Sequence, residues 1–195
     1  MDYETIKYYD NNAQAFIDGT STADMKCLLD KFTTSLSAGA SILDLGCGSG
    51  RDSVWFINQG FRVTAIDASS EMIRHCKSLI GDRAILADLE EFETTEKYDG
   101  IWACASLLHI PRERLAAAVT KYSAMLKPGG HFFMSFKNRE QDYKKDGRVF
   151  TCFTQPHLEQ YLKELNLFSN IYIYETEDVR PDRPGEQWVS AIGEV

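Results

Sequence analysis

The chain has 195 residues, 44% of them hydrophobic and 26% charged, with a formal net charge of −8. That length suits one domain with a sizeable core. The acidic balance argues against a broad surface for nucleic-acid phosphates. No apolar run approaches the roughly 20 residues of a membrane span, and Met1-Asp2-Tyr3-Glu4-Thr5 lacks the basic-then-apolar layout of a signal peptide. A cytoplasmic protein without membrane or nucleic-acid partners is therefore expected. The cysteines at 27, 47, 76, 104 and 152 are odd in number and widely spaced, and the four histidines are equally scattered. Neither a disulfide framework nor a metal site is expected.

Residues 3–36 read as helical, with a break at Asp18-Gly19-Thr20-Ser21 and apolar residues at helical spacing over Ala23–Phe32. From Ser41 the pattern changes. Ile42-Leu43-Asp44-Leu45 is a short apolar strand that runs into Gly46-Cys47-Gly48-Ser49-Gly50. A helix follows over Arg51–Gln59, stopped by Gly60. Phe61–Asp67 reads as a strand, and Ser69 or Ser70 caps the next helix, with Glu71 in its first turn. Arg83–Ala87 and Gly100–Ala105 are the third and fourth strands. Pro111 opens a helix to about Leu126, and Lys127-Pro128-Gly129-Gly130 is a turn before the fifth strand, His131–Phe136. The polar stretch Lys137–Val149 reads as a loop. Thr154 caps a helix to about Asn166, and strands over Ser169–Glu175 and Gln187–Gly193 close the chain.

Strand–helix alternation implies a parallel sheet with right-handed crossovers, and the closing strand pair implies an antiparallel edge. The fold class is thus α/β: a doubly wound, mostly parallel sheet of seven strands with the last one reversed.

In such a sheet, ligands sit beyond the carboxyl ends of the strands at the switch point. The glycine run marks that place, because glycines let the backbone approach a ligand closely. Asp67 ends the second strand, 17 residues after Gly50, where a carboxylate can accept both hydroxyls of a ribose. Glycine loop and strand-end acid together imply an adenosine-type ligand. The spacing departs from the G-x-G-x-x-G of nicotinamide sites. Asp44, two residues before the first glycine, suits a cationic ligand, and S-adenosyl-L-methionine carries a sulfonium and an ammonium.

Asp44-Leu45-Gly46-Cys47-Gly48-Ser49-Gly50 resembles the first motif of class I S-adenosylmethionine-dependent methyltransferases. The resemblance runs from about Ile42 to Val195. It implies a Rossmann-like methyltransferase fold and S-adenosyl-L-methionine as cofactor. It matches Asp67 to the ribose-binding acid and Asp88-Leu89 to the pair that reads adenine. Leu126–Gly130 matches the turn before the fifth strand, which carries no chemistry. Asp44, Gly46, Cys47, Gly48, Gly50, Asp67, Ala68, Met72, Asp88, Leu89 and Ala105 are the expected donor-binding set. Asp67 as a helix cap and Asp88 as an ordinary turn acid stay open. The resemblance divides residues 1–195 into an N-terminal helical lid (1–38), a donor half (41–136) and an acceptor half (137–195).

Methyl transfer from a sulfonium needs positioning and a dry pocket, and a general base only if the acceptor holds a proton. Three places face the acceptor. His109, after the fourth strand, is a candidate base or orienting group, and equally a histidine that binds a backbone carbonyl. Tyr3, Tyr8 and Tyr9 belong to the lid, where an aromatic face can meet a sulfonium or simply pack. Lys137, Arg139, Lys144, Lys145, Arg148, Arg180 and Arg183 form a basic rim, which suggests an anionic acceptor; solvated lysines are the plainer reading. Arg180, beside Pro181, is the candidate oxyanion binder. His109 and Arg180 are therefore the candidate catalytic pair.

The stretch Gly147–Thr154 and the segment Asp178–Trp188 resemble a bacterial branch of small-molecule methyltransferases, some labelled tellurite-resistance-like. Ala105-Ser106-Leu107-Leu108 lacks the Pro-Pro-aromatic signature of nucleic-acid amino-methylating enzymes. Cys104 follows Ala103 rather than a proline, so it reads as a buried thiol. The expected function is methylation of a small acceptor, an anionic one favoured. A non-catalytic S-adenosylmethionine-binding sensor is the alternative.

Overall fold

The computed structural model describes residues 1–180 and 182–195. Three helices open the chain: α1 (Tyr3–Asn11), α2 (Ala13–Thr20) and α3 (Lys26–Thr33). The alternating region follows as β1 (Ser41–Leu45), α4 (Arg51–Asn58), β2 (Arg62–Asp67), α5 (Ser70–Ile80), β3 (Ala84–Leu86), β4 (Tyr98–Ala103) and α6 (Arg112–Ser123). The remainder is β5 (Leu126–Asn138), β6 (Tyr143–Lys145), β7 (Arg148–Phe150), β8 (Cys152–Phe153), α7 (Gln155–Leu165), β9 (Asn170–Glu177) and β10 (Gln187–Glu194).

The main sheet runs in the order β3-β2-β1-β4-β5-β10-β9, and short β8 adds to β5. The β1–β2, β1–β4, β2–β3 and β4–β5 pairs are parallel. β10 is antiparallel to both neighbours, which is the reversed last strand expected. The crossover from β3 back to β4, on the far side of β1, opens the crevice that doubly wound sheets use for ligands. Leu28, Phe32, Phe56, Ile73 and Trp102 pack on one face of the sheet, under α3, α4 and α5. Leu115, Val119, Tyr122, Leu158 and Leu162 pack on the other, under α6 and α7.

Local signals act as their chemistry requires. Gly60 takes φ 86°, and the Phe61 amide reaches back to the Phe56 carbonyl at 3.1 Å, closing α4. Ser69 caps α5 by accepting the Met72 amide at 3.2 Å. Three expectations need correction. The first helical break falls at Asn12 and the second after Thr20, so Asp18, Gly19 and Thr20 stay helical; the Thr20 hydroxyl holds that last turn through the Phe16 carbonyl. Lys127–Gly130 lies inside β5 rather than before it, because Gly129 and Gly130 exchange backbone bonds with Val195. Residues 137–149 are not a loop. Lys137 and Asn138 complete β5, and β6 and β7 form a hairpin whose turn, Asp146-Gly147, has φ 52° and 79°. Asp-Gly is a strong hairpin dipeptide, and the surrounding charge hid it. No helix among the described residues is long and apolar enough to cross a membrane.

Candidate active site

A cavity of about 770 Å³ opens at the carboxyl ends of β1, β2, β4 and β5 and the amino end of the reversed β10, within the range of small-molecule sites. Its floor is the glycine loop. Gly46 has φ 69°, and a Cβ there would lie 2.5 Å from the Ser106 Cβ. Only glycine lets the β1 loop pass so close to the loop after β4. Cys47 turns its thiol inward, 3.7 Å from that of Cys76.

Asp67 stands at the end of β2. One oxygen accepts the Gly48 amide at 2.9 Å and the other accepts the Ser69 amide at 2.9 Å. An ionised carboxylate has about four acceptor sites, so two remain for a ligand's hydroxyls. Burial pushes the Asp67 carboxyl above its ordinary range, against the pull of those amides. Asp44 is 3% exposed and accepts the Ser53 hydroxyl at 2.6 Å. Burial, with Asp52 nearby, raises its carboxyl to about 7. Asp52 itself is bound by Arg51 and by Trp102 Nε1 at 2.9 Å. Two acids therefore share a buried corner in which Arg51 is committed to Asp52. A cationic group beside Asp44 would relieve that imbalance.

The N-terminal helices lie over this floor. Phe16 sits against Gly48, 3.2 Å from where a Cβ would stand. Asp10 accepts the Ser69 hydroxyl at 2.6 Å and the Glu71 amide at 3.2 Å, pinning α1 to the start of α5. Tyr9 reaches His109: the Tyr9 hydroxyl and His109 Nε2 are 2.7 Å apart. His109 Nδ1 lies 2.8 Å from the Val149 carbonyl. A carbonyl only accepts, so Nδ1 carries the proton and Nε2 accepts from the tyrosine. Burial lowers the His109 ring to about 4 and raises the Tyr9 hydroxyl to about 12, so both are neutral near pH 7.

The basic rim is largely paired. Arg180 forms a two-point bond to Asp178 through Nε at 2.8 Å and Nη2 at 2.5 Å. Arg139 bonds Glu186 at 3.1 Å. The Arg148 guanidinium lies 3.6 Å from the Tyr8 ring centre and bonds Asp146 at 3.2 Å. Lys137, expected to be solvated, is 3% exposed and sits 4.0 Å over the Trp188 ring. Pro181, invoked beside Arg180, lies outside the described residues.

The structure brings Asp44, Gly46, Cys47, Gly48, Asp67, Ala68, Met72, Leu89, Ala105, His109 and Arg180 around one cavity. Gly50 and Asp88 stand back from it. Gly50, at φ 75°, begins α4. Asp88 accepts the Met1 amino group at 2.6 Å and the Glu90 amide at 2.8 Å. Ala105 holds φ 54°, with its amide on the Ser135 hydroxyl at 2.8 Å; such strain in a non-glycine residue gathers at functional sites. Cys104 also reaches the cavity, and burial pushes its thiol up to about 12, which disables it as a nucleophile. Sequence reasoning missed Phe16, Tyr143, Ser135 and Ser190. The last two had a signal: polar residues that interrupt the apolar runs of β5 and β10.

Residues 42–130 match the family described as "Methyltransferase domain". A ubiquinone biosynthesis O-methyltransferase of Xylella fastidiosa (strain 9a5c) is 36% identical over 109 residues, covering 52% of this chain and 44% of that protein. The alignment thus spans less than half the length of that relative. The Burkholderia thailandensis 1,6-didemethyltoxoflavin-N1-methyltransferase, solved with 1,6-didemethyltoxoflavin and S-adenosylhomocysteine, superposes with a TM-score of 0.73 at 22% identity, over 97% of this chain and 84% of that one. The DhpI–SAH complex gives a TM-score of 0.72 at 20% identity, over 97% and 94%. The Rossmann-like methyltransferase fold is common to these structures and this chain.

Proposed function

We propose that this chain is a class I methyltransferase that moves a methyl group from S-adenosyl-L-methionine to a small, anionic acceptor. The observation that carries the reading is a single cavity with two unlike walls. One wall is the glycine loop with Asp44 and Asp67; the other is His109, Arg148, Lys137 and Trp188. A donor alone has no use for the second wall, which favours transfer over mere sensing.

The residues present fit the donor. The free acceptor sites on Asp67 suit ribose hydroxyls, the Asp44 corner suits an ammonium, and Ala68, Met72 and Leu89 supply apolar contact for a base. Bound there, the donor supplies an electrophilic methyl group. The chain does the rest. The lid of residues 1–38 closes over the donor half, 41–136, and excludes water through Tyr9 and Phe16. The acceptor half, 137–195, positions the nucleophile. The Tyr9 hydroxyl, held by neutral His109 Nε2, turns its oxygen to accept a hydrogen bond from the acceptor and so orients it. Arg180 holds Asp178 and, through it, the Trp188 indole at 3.0 Å, which fixes the acceptor wall.

Calorimetric titration with S-adenosylmethionine, S-adenosylhomocysteine and NAD tests the donor half. Binding of the first two without NAD is expected. Release of S-adenosylhomocysteine with a panel of small carboxylic acids tests transfer. Donor binding with no turnover on any acceptor class would favour a sensor.

A further inference from the structure

The far end of the cavity carries polar groups that the protein itself leaves short of partners. Ser135 and Lys137 alternate along β5, and Ser190 and Trp188 stand opposite them on β10. Side chains two apart on a strand share a face, so these four line one patch of the sheet, and all four border the cavity. Directly paired residues have Cβ atoms about 5 Å apart and diagonal ones about 7 Å; Lys137 and Ser190 are diagonal.

Among the described residues the Ser190 hydroxyl, in a fully buried side chain, has no hydrogen-bond partner, and the buried Lys137 ammonium has donors to spare. Lys137 meets Glu186 at 3.0 Å, which engages one of its three donors. The neighbouring carboxylates are committed. Asp178 takes the Arg180 backbone amide, Arg180 Nε and Nη2, and Trp188 Nε1. Glu186 is shared between Lys137 and Arg139. Asp178 and Glu186 thus serve three cations, of which Arg139 is exposed while Lys137 and Arg180 are buried or nearly so.

We infer that Lys137 and Ser190 form an anchoring subsite for a carboxylate, with the Trp188 ring against the carbon that bears it. An ammonium only donates and a hydroxyl donates readily, so the missing partner supplies acceptor oxygens. A carboxylate offers two oxygens to two donors and a charge opposite to that of the ammonium. A phosphate dianion brings more charge than the pocket balances. A neutral carbonyl offers the two donors a single oxygen. The inference rests on the proposed function only for naming the bound acid as the methyl acceptor.

The test titrates benzoate, benzamide and benzylamine into the full chain, free and loaded with S-adenosylhomocysteine. The readout is the Trp188 indole N–H signal in nitrogen-15 NMR, assigned with Trp188→Phe. Benzoate is expected to shift that signal saturably, with benzamide and benzylamine binding about ten- to a hundredfold weaker, the scale of a charge-assisted contact. Lys137→Met should abolish the benzoate shift, and the smaller change Ser190→Ala, which spares the ion pairs, should weaken it severalfold. S-adenosylhomocysteine affinity should stay unchanged in both. No benzoate shift, equal shifts from benzamide, or undiminished benzoate binding in both variants overturns the subsite. Failure of S-adenosylhomocysteine to bind overturns the donor reading instead, and leaves the benzoate result on the free chain to stand alone.

Discussion

The Tyr9 hydroxyl donates to His109 Nε2 across 2.7 Å, joining the first helix of the chain to the loop after β4. The opposite ring nitrogen is committed to the Val149 carbonyl at 2.8 Å. One buried imidazole therefore ties the lid, the donor half and the β6–β7 hairpin together, and it can do so only while neutral.

That requirement has a signature in stability. The folded ring titrates at about 4 and an unfolded histidine near 6.5. Between those values the unfolded chain binds a proton that the folded chain refuses, so this contribution is lost as pH falls from about 6.5 towards 4. Asp44 runs the other way over an overlapping window. Its folded value of about 7 lies above the ordinary one, so its contribution is lost as pH rises from about 4 through 7. Wild type must therefore be compared with His109→Gln. The stability difference between them, from urea unfolding, should shrink by about 2 kcal/mol between pH 7.5 and pH 5. A difference that holds constant would mean the ring is protonated in the fold.

Asp44 also predicts how donor binding depends on pH. A cationic ligand group favours the carboxylate over the acid, so S-adenosylmethionine affinity should rise with pH and level off above about 7. The rise approaches tenfold per pH unit below that point if the ammonium contacts the carboxylate directly. Calorimetry from pH 5.5 to 8 measures it. Asp44→Asn should bind weakly and lose the slope; a slope that survives in the variant belongs to another group.

Replacement of Asp67 by Asn keeps the shape and one acceptor oxygen but removes the charge and half of the acceptor capacity. Donor affinity should drop by about 1–3 kcal/mol, the range for hydrogen bonds to a charged group. Tm of the unliganded protein separates this effect from loss of the Gly48 amide bond. Unchanged affinity would show that Asp67 serves the loop alone.

Gly46→Ala drives a methyl into Ser106, 2.5 Å from its Cβ, at a φ of 69°. Both the overlap and the φ penalty act, and a loss of about 1–3 kcal/mol is expected. Ser106→Gly removes the atom that Gly46→Ala meets. The double variant should recover the steric part and keep the φ part, a coupling readable from a double-mutant cycle in denaturant. Purely additive losses would mean that the two loops move apart freely.

The alternating strands, their order and the glycine loop were legible because each depends on local pattern: apolar runs of five or six residues, a capping Ser69, a stopping Gly60. The place of Asp44 and Asp67 on the cavity was legible because both sit at fixed places beside the loop. Pairing was not legible. Arg180 looked free because Asp178, two residues before it, was read only as loop polarity. Lys137 looked solvated because nothing local announces that Trp188, 51 positions on, covers it. The hairpin over 143–150 was hidden by its own lysines, although Asp146-Gly147 carried the signal.

The Arg148 guanidinium rests on Tyr8, and Gly147 passes so close to Glu4 that a Cβ would lie 3.3 Å from the Glu4 Cβ. The β6–β7 hairpin and α1 thus brace each other at the edge of the cavity. Under the proposed function both reactants would share that one cavity, like passengers in an airlock. On that reading the methyl group passes directly between two reactants held together, with both aboard before either product leaves. Initial-rate plots against one reactant at several levels of the other should therefore intersect, where a double-displacement enzyme would draw parallel lines.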